Sequence, residues 1–370
     1  MKCRLGDLAR VSSSKRIYAK EYIANGIPFY RGKEIIELGS GRLLSNKLFI
    51  SKDRFNQIKS KYNDVPEKDD VLITAVGTIG ETYLVKSRDL PFYFKDGNLI
   101  KLSKWNRQIV LPEYMYYWLN SYAGKMAIKK ITIGSTQQAI TIRALSDVEL
   151  DLPPISEQGK IAQGLSTLDF SIDNNKHINA NLLNLANTLF KHYFPDINTG
   201  TDKIGDYIKN FDKLRKPLSK KQRSEIPGKY RYIGATSVND RIDKYNFDGI
   251  YLLLGEDGTV QDEYGFPILQ YTFGKFWPNN HAHVLQGKNV STEWLYLYFS
   301  QRNISGIVTG AVQKKVSQKN MNSLKFKLPD SQELKKFDKI IQPLFSKIRS
   351  TKLENYQLEE LKRVLLTKLF

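Results

Sequence analysis

The feature that most constrains this chain is that it is written twice. Leu5-Gly6-Asp7 returns as Ile204-Gly205-Asp206, 199 residues later. Gly77-Thr78-Ile79 returns as Gly258-Thr259-Val260 at an offset of 181, and Glu113-Tyr114-Met115-Tyr116-Tyr117 as Glu293-Trp294-Leu295-Tyr296-Leu297 at 180. Leu152-Pro153 returns as Leu328-Pro329 at 176. Each match is short, but the common order and shrinking offset describe an internal duplication whose second copy is shorter, mostly in its front part. A chain of 370 residues has room for two such domains.

Each copy closes on a helical pattern. Ile161, Leu165, Leu168, Ile172, Asn175, Asn179, Leu182, Ala186, Leu189 and Tyr193 are spaced alternately by four and three, a heptad seam. At the offset of the Leu-Pro pair stand Phe337, Ile341, Leu344, Ile348, Thr351, Asn355, Leu358, Lys362, Leu365 and Leu369. The second seam is apolar at nearly the same places and polar in the same middle, with Lys362 the main departure. Each helix follows a proline-bearing lead, Leu152-Pro153-Pro154-Ile155 and Leu328-Pro329-Asp330. The first is expected to end before Pro195, and Pro343 is expected to kink or break the second. At roughly 40 residues each, about 60 Å long, the helices need partners for their seams and are expected to pack on each other. The polar middle suits control of register.

The segment before each helix mixes short strands (around Pro28–Gly32, Asp70–Thr74 and Gly97–Leu102) with helices at Pro112–Asn120 and Thr292–Ser300. The expected layout is a mixed domain over 1–151, a long helix over 152–194, a second mixed domain over 195–328 and a second long helix over 329–370. The fold class is α+β.

The formal net charge of +19 points to a polyanionic partner, with nucleic acid foremost because Lys and Arg release counterions from phosphates. No run of about 20 apolar residues and no amphipathic anchor speaks for a membrane. The start, Met1 to Asp7, lacks an apolar signal core, so a cytoplasmic location is expected. The single cysteine, Cys3, excludes an intrachain disulfide.

Several residues invite sharper readings. Gly134 to Gln138, including Ser135, Thr136 and Gln137, and Gly310 to Lys315, including Gln313, Lys314 and Lys315, sit at the same place in the two copies. Glycine permits close backbone approach, and Gln and Lys reach base edges or phosphates; an ordinary loop before each helix is the alternative. The basic stretches Lys213–Lys216 and Lys220, Lys221 and Arg223 track phosphates or form a solvated loop. His281, with Asn279 and Asn280, shapes a loop or touches DNA. His281 and His283 lack the further ligands of a metal site, and none is expected; His177 and His192 read as helix surface. The aromatic runs Tyr114 to Trp118 and Trp294 to Phe299 read as core rather than base-stacking surface. Asp330, Glu333 and Lys335 mimic a metal-dependent nuclease pattern, but they are crowded at a helix start, where Asp330 or Ser331 would cap the helix. There is no Asn-Pro-Pro-Tyr methylation motif and no phosphate-binding Gly-rich loop.

Leu152-Pro153-Pro154-Ile155-Ser156-Glu157-Gln158, followed by Ile161-Ala162 and Leu168-Asp169, resembles the start of the central conserved helix of type I restriction-modification specificity subunits. Leu254 to Gly258 with Gly274 to Val284, which contains Asn279-Asn280-His281-Ala282-His283, resembles a segment of their target recognition domains. Gly77-Thr78-Ile79-Gly80 with Gly97 to Ile100 resembles its counterpart in the first domain. The second helix departs from the pattern, with Pro329-Asp330-Ser331-Gln332-Glu333 in place of the fuller string. The resemblance spans nearly the whole chain. It implies two target recognition domains separated by two long antiparallel coiled-coil helices, an internal repeat with pseudo-twofold character. It also implies a noncatalytic subunit that reads a split site in double-stranded DNA and carries methyltransferase and restriction subunits. S-adenosylmethionine, ATP and Mg would belong to those partners, and no cofactor to this chain. A self-contained nuclease using Asp330, Glu333 and Lys335 is the competing function, and a coiled-coil assembly protein a third.

Overall fold

A computed structural model describes every residue except 42, 43, 45–47, 135–137 and 311. The chain divides into two compact units, Met1–Asn174 with Asn355–Phe370, and Asn175–Glu354. The cuts fall inside the two long helices, Ile155–Tyr193 and Ser331–Leu369, so each unit owns a mixed domain and a stretch of both helices.

In the first unit, four antiparallel strands lie in the order Arg10–Ser12, Leu99–Ser103, Val71–Thr74, Thr82–Leu84. The second unit repeats that frame with Ile208–Asn210, Ala282–Gly287, Phe247–Gly255 and Leu269–Pro278, then adds Pro227–Ile233 and Val238–Ile242. The first unit's extra length forms a separate three-stranded sheet and the helices Gly32–Gly39 and Lys52–Tyr62, as a longer front part predicts. Helices Pro112–Asn120 and Thr292–Ser300 form where expected, one opened by proline at its first turn and the other capped by Ser291, whose hydroxyl accepts the Trp294 N–H. Trp118 and Tyr114, and Trp294, Tyr298 and Phe299, are buried, so the core reading of the aromatic runs holds.

The repeat extends to single hydrogen bonds. The Leu5 N–H donates to the Val148 carbonyl, and the Ile204 N–H to that of Leu324. A Cβ added to Gly6 would meet Ser146, and one on Gly205 would lie 2.5 Å from the Cβ of Asn322. The repeated Gly-Asp thus marks a close approach to the turn before each long helix.

Within each unit the helices run antiparallel: residue numbers rise along one as they fall along the other. In the first unit the Asn355 side chain donates to the Ile172 carbonyl at 3.2 Å and Lys362 pairs with Asp169 at 2.5 Å. In the second, the Thr351 hydroxyl donates to Asn179 at 2.5 Å, and Phe337 packs on Phe190 and Phe194. Lys362 is therefore no flaw in the seam: Asp169 neutralises it and also accepts the Tyr117 hydroxyl proton.

Leu165, Ile172, Ile341 and Ile348 are buried; Ile161, Leu168, Leu182, Leu189, Leu344, Leu358 and Leu365 are half-buried. Leu369 departs from the expected seam. It is 40% exposed, and Phe370 takes the apolar contact at that end, against Tyr114. Phe190 and Phe345, beside the seam positions, are fully buried because they face Trp294 and Tyr271 of the adjoining domain. Pro343 does not break its helix, which continues to Leu369. Pro343 and Lys339 both lie on the exposed side, where water can satisfy the carbonyl that loses its donor.

Gln158, from the Pro-Pro-Ile-Ser-Glu-Gln string, is fully buried. It accepts the Leu111 N–H at 3.0 Å and donates to the carbonyls of Ile109 and Pro153 at 2.9 and 3.0 Å. It thereby pins the helix start to the domain. Gln158→Leu is expected to destabilise the first unit by about 2–4 kcal/mol through stranded backbone groups, read as a lower denaturation midpoint with unchanged slope.

Candidate nucleic-acid interface

The same loop joint occurs in both units. In the first, the Ala75 N–H donates to the Asn98 carbonyl, the Ile140 N–H donates to the Ala75 carbonyl, and Ile133 and Ala139 exchange a pair of backbone hydrogen bonds. In the second, Glu256 donates to His281, Val316 donates to Glu256, and Thr309 and Lys315 exchange the pair. Bridges Val76–Ala139 and Asp257–Lys315 lock a glycine turn to the following loop each time. Gly77 and Gly258, at φ of +81° and +80°, supply the left-handed turn that a side chain would strain.

The joint presents Gly77, Thr78 and Gln138 to solvent in the first unit, and Gly258, Thr259, Gln313, Lys314 and Lys315 in the second. Ser135, Thr136 and Gln137 lie outside the described residues. Val312 stands wholly clear of the protein. Lys220 and Lys221 are exposed on the helix Lys220–Glu225. Arg223 is turned inward, pairing with Asp240 at 3.2 Å, donating to the Leu218 carbonyl and lying over the Tyr232 ring. Asn279 is buried and accepts the His281 N–H, so it shapes the turn, whereas Asn280 and His281 are exposed. His281 also pairs with Asp257.

Beneath the second joint lies a charged cluster that sequence reading missed. Glu256 approaches Arg215 at 2.7 Å, His283 at 3.7 Å and Lys315 at 3.6 Å. Asp212 approaches His283 at 2.6 Å and Arg215 at 3.6 Å, and accepts the Val284 N–H. Arg215 also donates to the carbonyls of Asn280 and Ala282. His283 is 1% exposed, and its other nitrogen faces the Val316 carbonyl at 2.9 Å. Burial opposes its protonation, but Asp212, through its hydrogen bond and charge, together with the Val316 carbonyl and Glu256, outweighs that and raises its pKa. Burial likewise pushes the Asp212 carboxyl upward, and His283 together with the hydrogen bonds from the Val284 N–H and Asn210 more than offsets this, holding it below its ordinary value.

Asp212, Glu256 and His283 bring potential ligand atoms within 4.8 Å of one another. The cluster is nonetheless built as an ion-pair network, because Arg215 and Lys315 already neutralise the carboxylates and both imidazole nitrogens are committed to protein acceptors. At the start of the second long helix, Asp330 accepts the Gln332 N–H and Glu333 accepts the Asp330 N–H. These carboxylates of the nuclease-like string are spent on capping. Among the described residues no helix is long and apolar enough to cross a membrane.

Comparison with known proteins agrees with the repeat. A family model described as the type I restriction modification DNA specificity domain matches residues 1–184 and again 201–363. The MjaIX type I restriction enzyme specificity subunit of Methanocaldococcus jannaschii is 23% identical, the match covering 99% of this chain and 91% of that protein. A putative type I restriction enzyme specificity subunit of Haemophilus influenzae is 30% identical over 35% of this chain and 32% of its own length, so this match spans about a third of that relative. The crystal structure of a type I restriction-modification S subunit from M. genitalium shares the fold at a TM-score of 0.56 and 17% identity, covering 100% of this chain and 96% of that one. With both copies of the repeat matched, the chain belongs to the type I restriction-modification DNA specificity family.

Proposed function

We propose that this chain is the noncatalytic reader of a two-part DNA site, each unit taking one half through its loop joint, while the long helices carry methyltransferase and restriction subunits. The observation that carries this reading is the duplicated joint: two equivalent exposed loop pairs in one chain are what a split, asymmetric site requires, as two protomers serve a palindromic one. The net charge of +19 supplies the phosphate affinity that positions such a reader. The methylating and translocating chemistry, with S-adenosylmethionine, ATP and Mg, belongs to the partner subunits, and the assembly acts on DNA in the cytoplasm. The DNA-facing set is Gly77, Thr78, residues 135–138, Lys220, Lys221, Asn280, His281 and Gln313 to Lys315. Arg223 and Asn279 support it from beneath.

The test is to combine the purified chain with a type I methyltransferase subunit from the same source and sequence the methylated positions in a DNA library. Methylation of a bipartite site only when this chain is present is expected, and exchanging one domain should change one half of the site. A folded methyltransferase that forms no complex with the chain, or a recognised sequence unmoved by the exchange, overturns the reading. Metal-dependent cleavage by the chain alone would favour the nuclease.

A further inference from the structure

We propose that His283 is a positioning residue for DNA reading by the second unit, an imidazolium that fixes the 256–258 turn and the segment 314–316 against each other, and that the first unit has no such dependence. This rests on the DNA-reading function proposed above. The geometry distinguishes the two units position by position. Leu254 pairs with His283 across the second sheet, as Ile73 pairs with Ile100 across the first. Glu256, His283 and Val316 of one joint therefore correspond to Ala75, Ile100 and Ile140 of the other, all three of which are buried. One platform is packed with hydrocarbon; the other is held by charge.

His283 works as a cation because both its ring nitrogens face acceptors, Asp212 at 2.6 Å and the Val316 carbonyl at 2.9 Å. A neutral ring carries one proton, so either the carboxylate or the carbonyl would face a lone pair. Val316 is the residue whose N–H closes the joint on the Glu256 carbonyl, and Lys314 and Lys315 directly precede it. Losing the imidazole bond to Val316 therefore loosens the segment that carries the exposed lysines.

The charged groups facing His283 are Asp212 and Glu256, with Arg215 and Lys315 behind Glu256. The adjacent turn holds the His281–Asp257 pair. The sign follows from the raised pKa of His283. Its contribution is complete below the ordinary imidazole value of about 6.5 and is lost as pH rises through the higher folded value.

The experiment uses the full chain assembled with its methyltransferase and a randomised duplex DNA pool, with bound sequences read at pH 6.5 and pH 9. For wild type, preference at the half-site read by the second unit is expected to fall about tenfold at pH 9, equivalent to about 1.4 kcal/mol, while the other half is unchanged. His283→Gln should show the weakened preference at both pH values, whereas His281→Gln, a change within the DNA-facing set, is expected to lower the preference at both pH values alike and to keep the tenfold fall between pH 6.5 and pH 9. Equal loss at both halves, no loss at either, or a response abolished by His281→Gln overturns the proposal. If His283→Gln does not fold, the wild-type and His281→Gln profiles decide. A wild-type assembly that selects no two-part sequence at either pH instead overturns the DNA-reading function, and this proposal falls with it.

Discussion

Replacing Lys101 by methionine is expected to cost the first unit about 3–5 kcal/mol, the range for breaking a buried ion pair from one side. Lys101 sits in the strand Leu99–Ser103 and is only 3% exposed. Its ammonium lies 3.1 Å from Asp64 and 3.6 Å from Asp70, and donates to the Val65 carbonyl. Methionine fills the space but leaves two carboxylates in a site without a cation. The loss should also depend on pH. Burial, opposed by Lys101 and by the Glu67 N–H, pushes the Asp70 carboxyl up to about 6. A carboxyl raised in the folded state costs stability once it ionises, so that cost is present above about pH 6 and fades as pH falls toward the ordinary value of 3.8. Without Lys101 the carboxyl rises further, and part of the loss should return at pH 5. Hydrogen exchange of first-unit peptides in denaturant at pH 7.5 and pH 5 measures both effects. A loss under about 1 kcal/mol at pH 7.5 would show that the cluster tolerates an absent cation, against the usual cost of unpaired buried charge.

Reversing three exposed charges of the second unit, with Lys220, Lys221 and Lys314 each replaced by Glu, is expected to weaken DNA binding about a thousandfold at 0.1 M salt. Each phosphate contact is worth roughly 0.9 in the slope of log affinity against log salt, hence about tenfold at that concentration. The same reasoning lowers the salt slope by about 2.7. None of the three side chains is needed by the fold: all are exposed, and Lys314 serves the joint through its backbone carbonyl, which accepts the Gly258 N–H. Thermal stability should therefore be unchanged while titrations of a random-sequence duplex across salt concentrations show the loss. An unaltered salt slope would place the phosphates elsewhere on this unit.

The two experiments probe features of very different legibility. The charge reversal targets lysines that were visible as a basic stretch and a loop at matching offsets. The Lys101 cluster was not visible. A lysine between Ile100 and Leu102 reads as the outward residue of a strand, and its acidic partners stand 31 and 37 residues earlier. The same holds for the network under the second joint. His283 read as one of two alternating histidines and Arg215 as part of a basic run, yet they converge with Asp212 and Glu256 from segments up to 71 residues apart.

What the sequence determined by itself was the duplication, the shared helical seam, the caps and the aromatic core. These depend on period, turn chemistry and spacing, which act between near neighbours or repeat in register. Only the tertiary structure decided which charges are buried, that Pro343 faces water and leaves its helix unbroken, that Phe370 replaces Leu369 at the end of the seam, and that Arg223 and Asn279 turn inward. Those outcomes depend on which distant groups close around a side chain. Burial and charge pairing are set by contacts that the order of residues along a chain does not state.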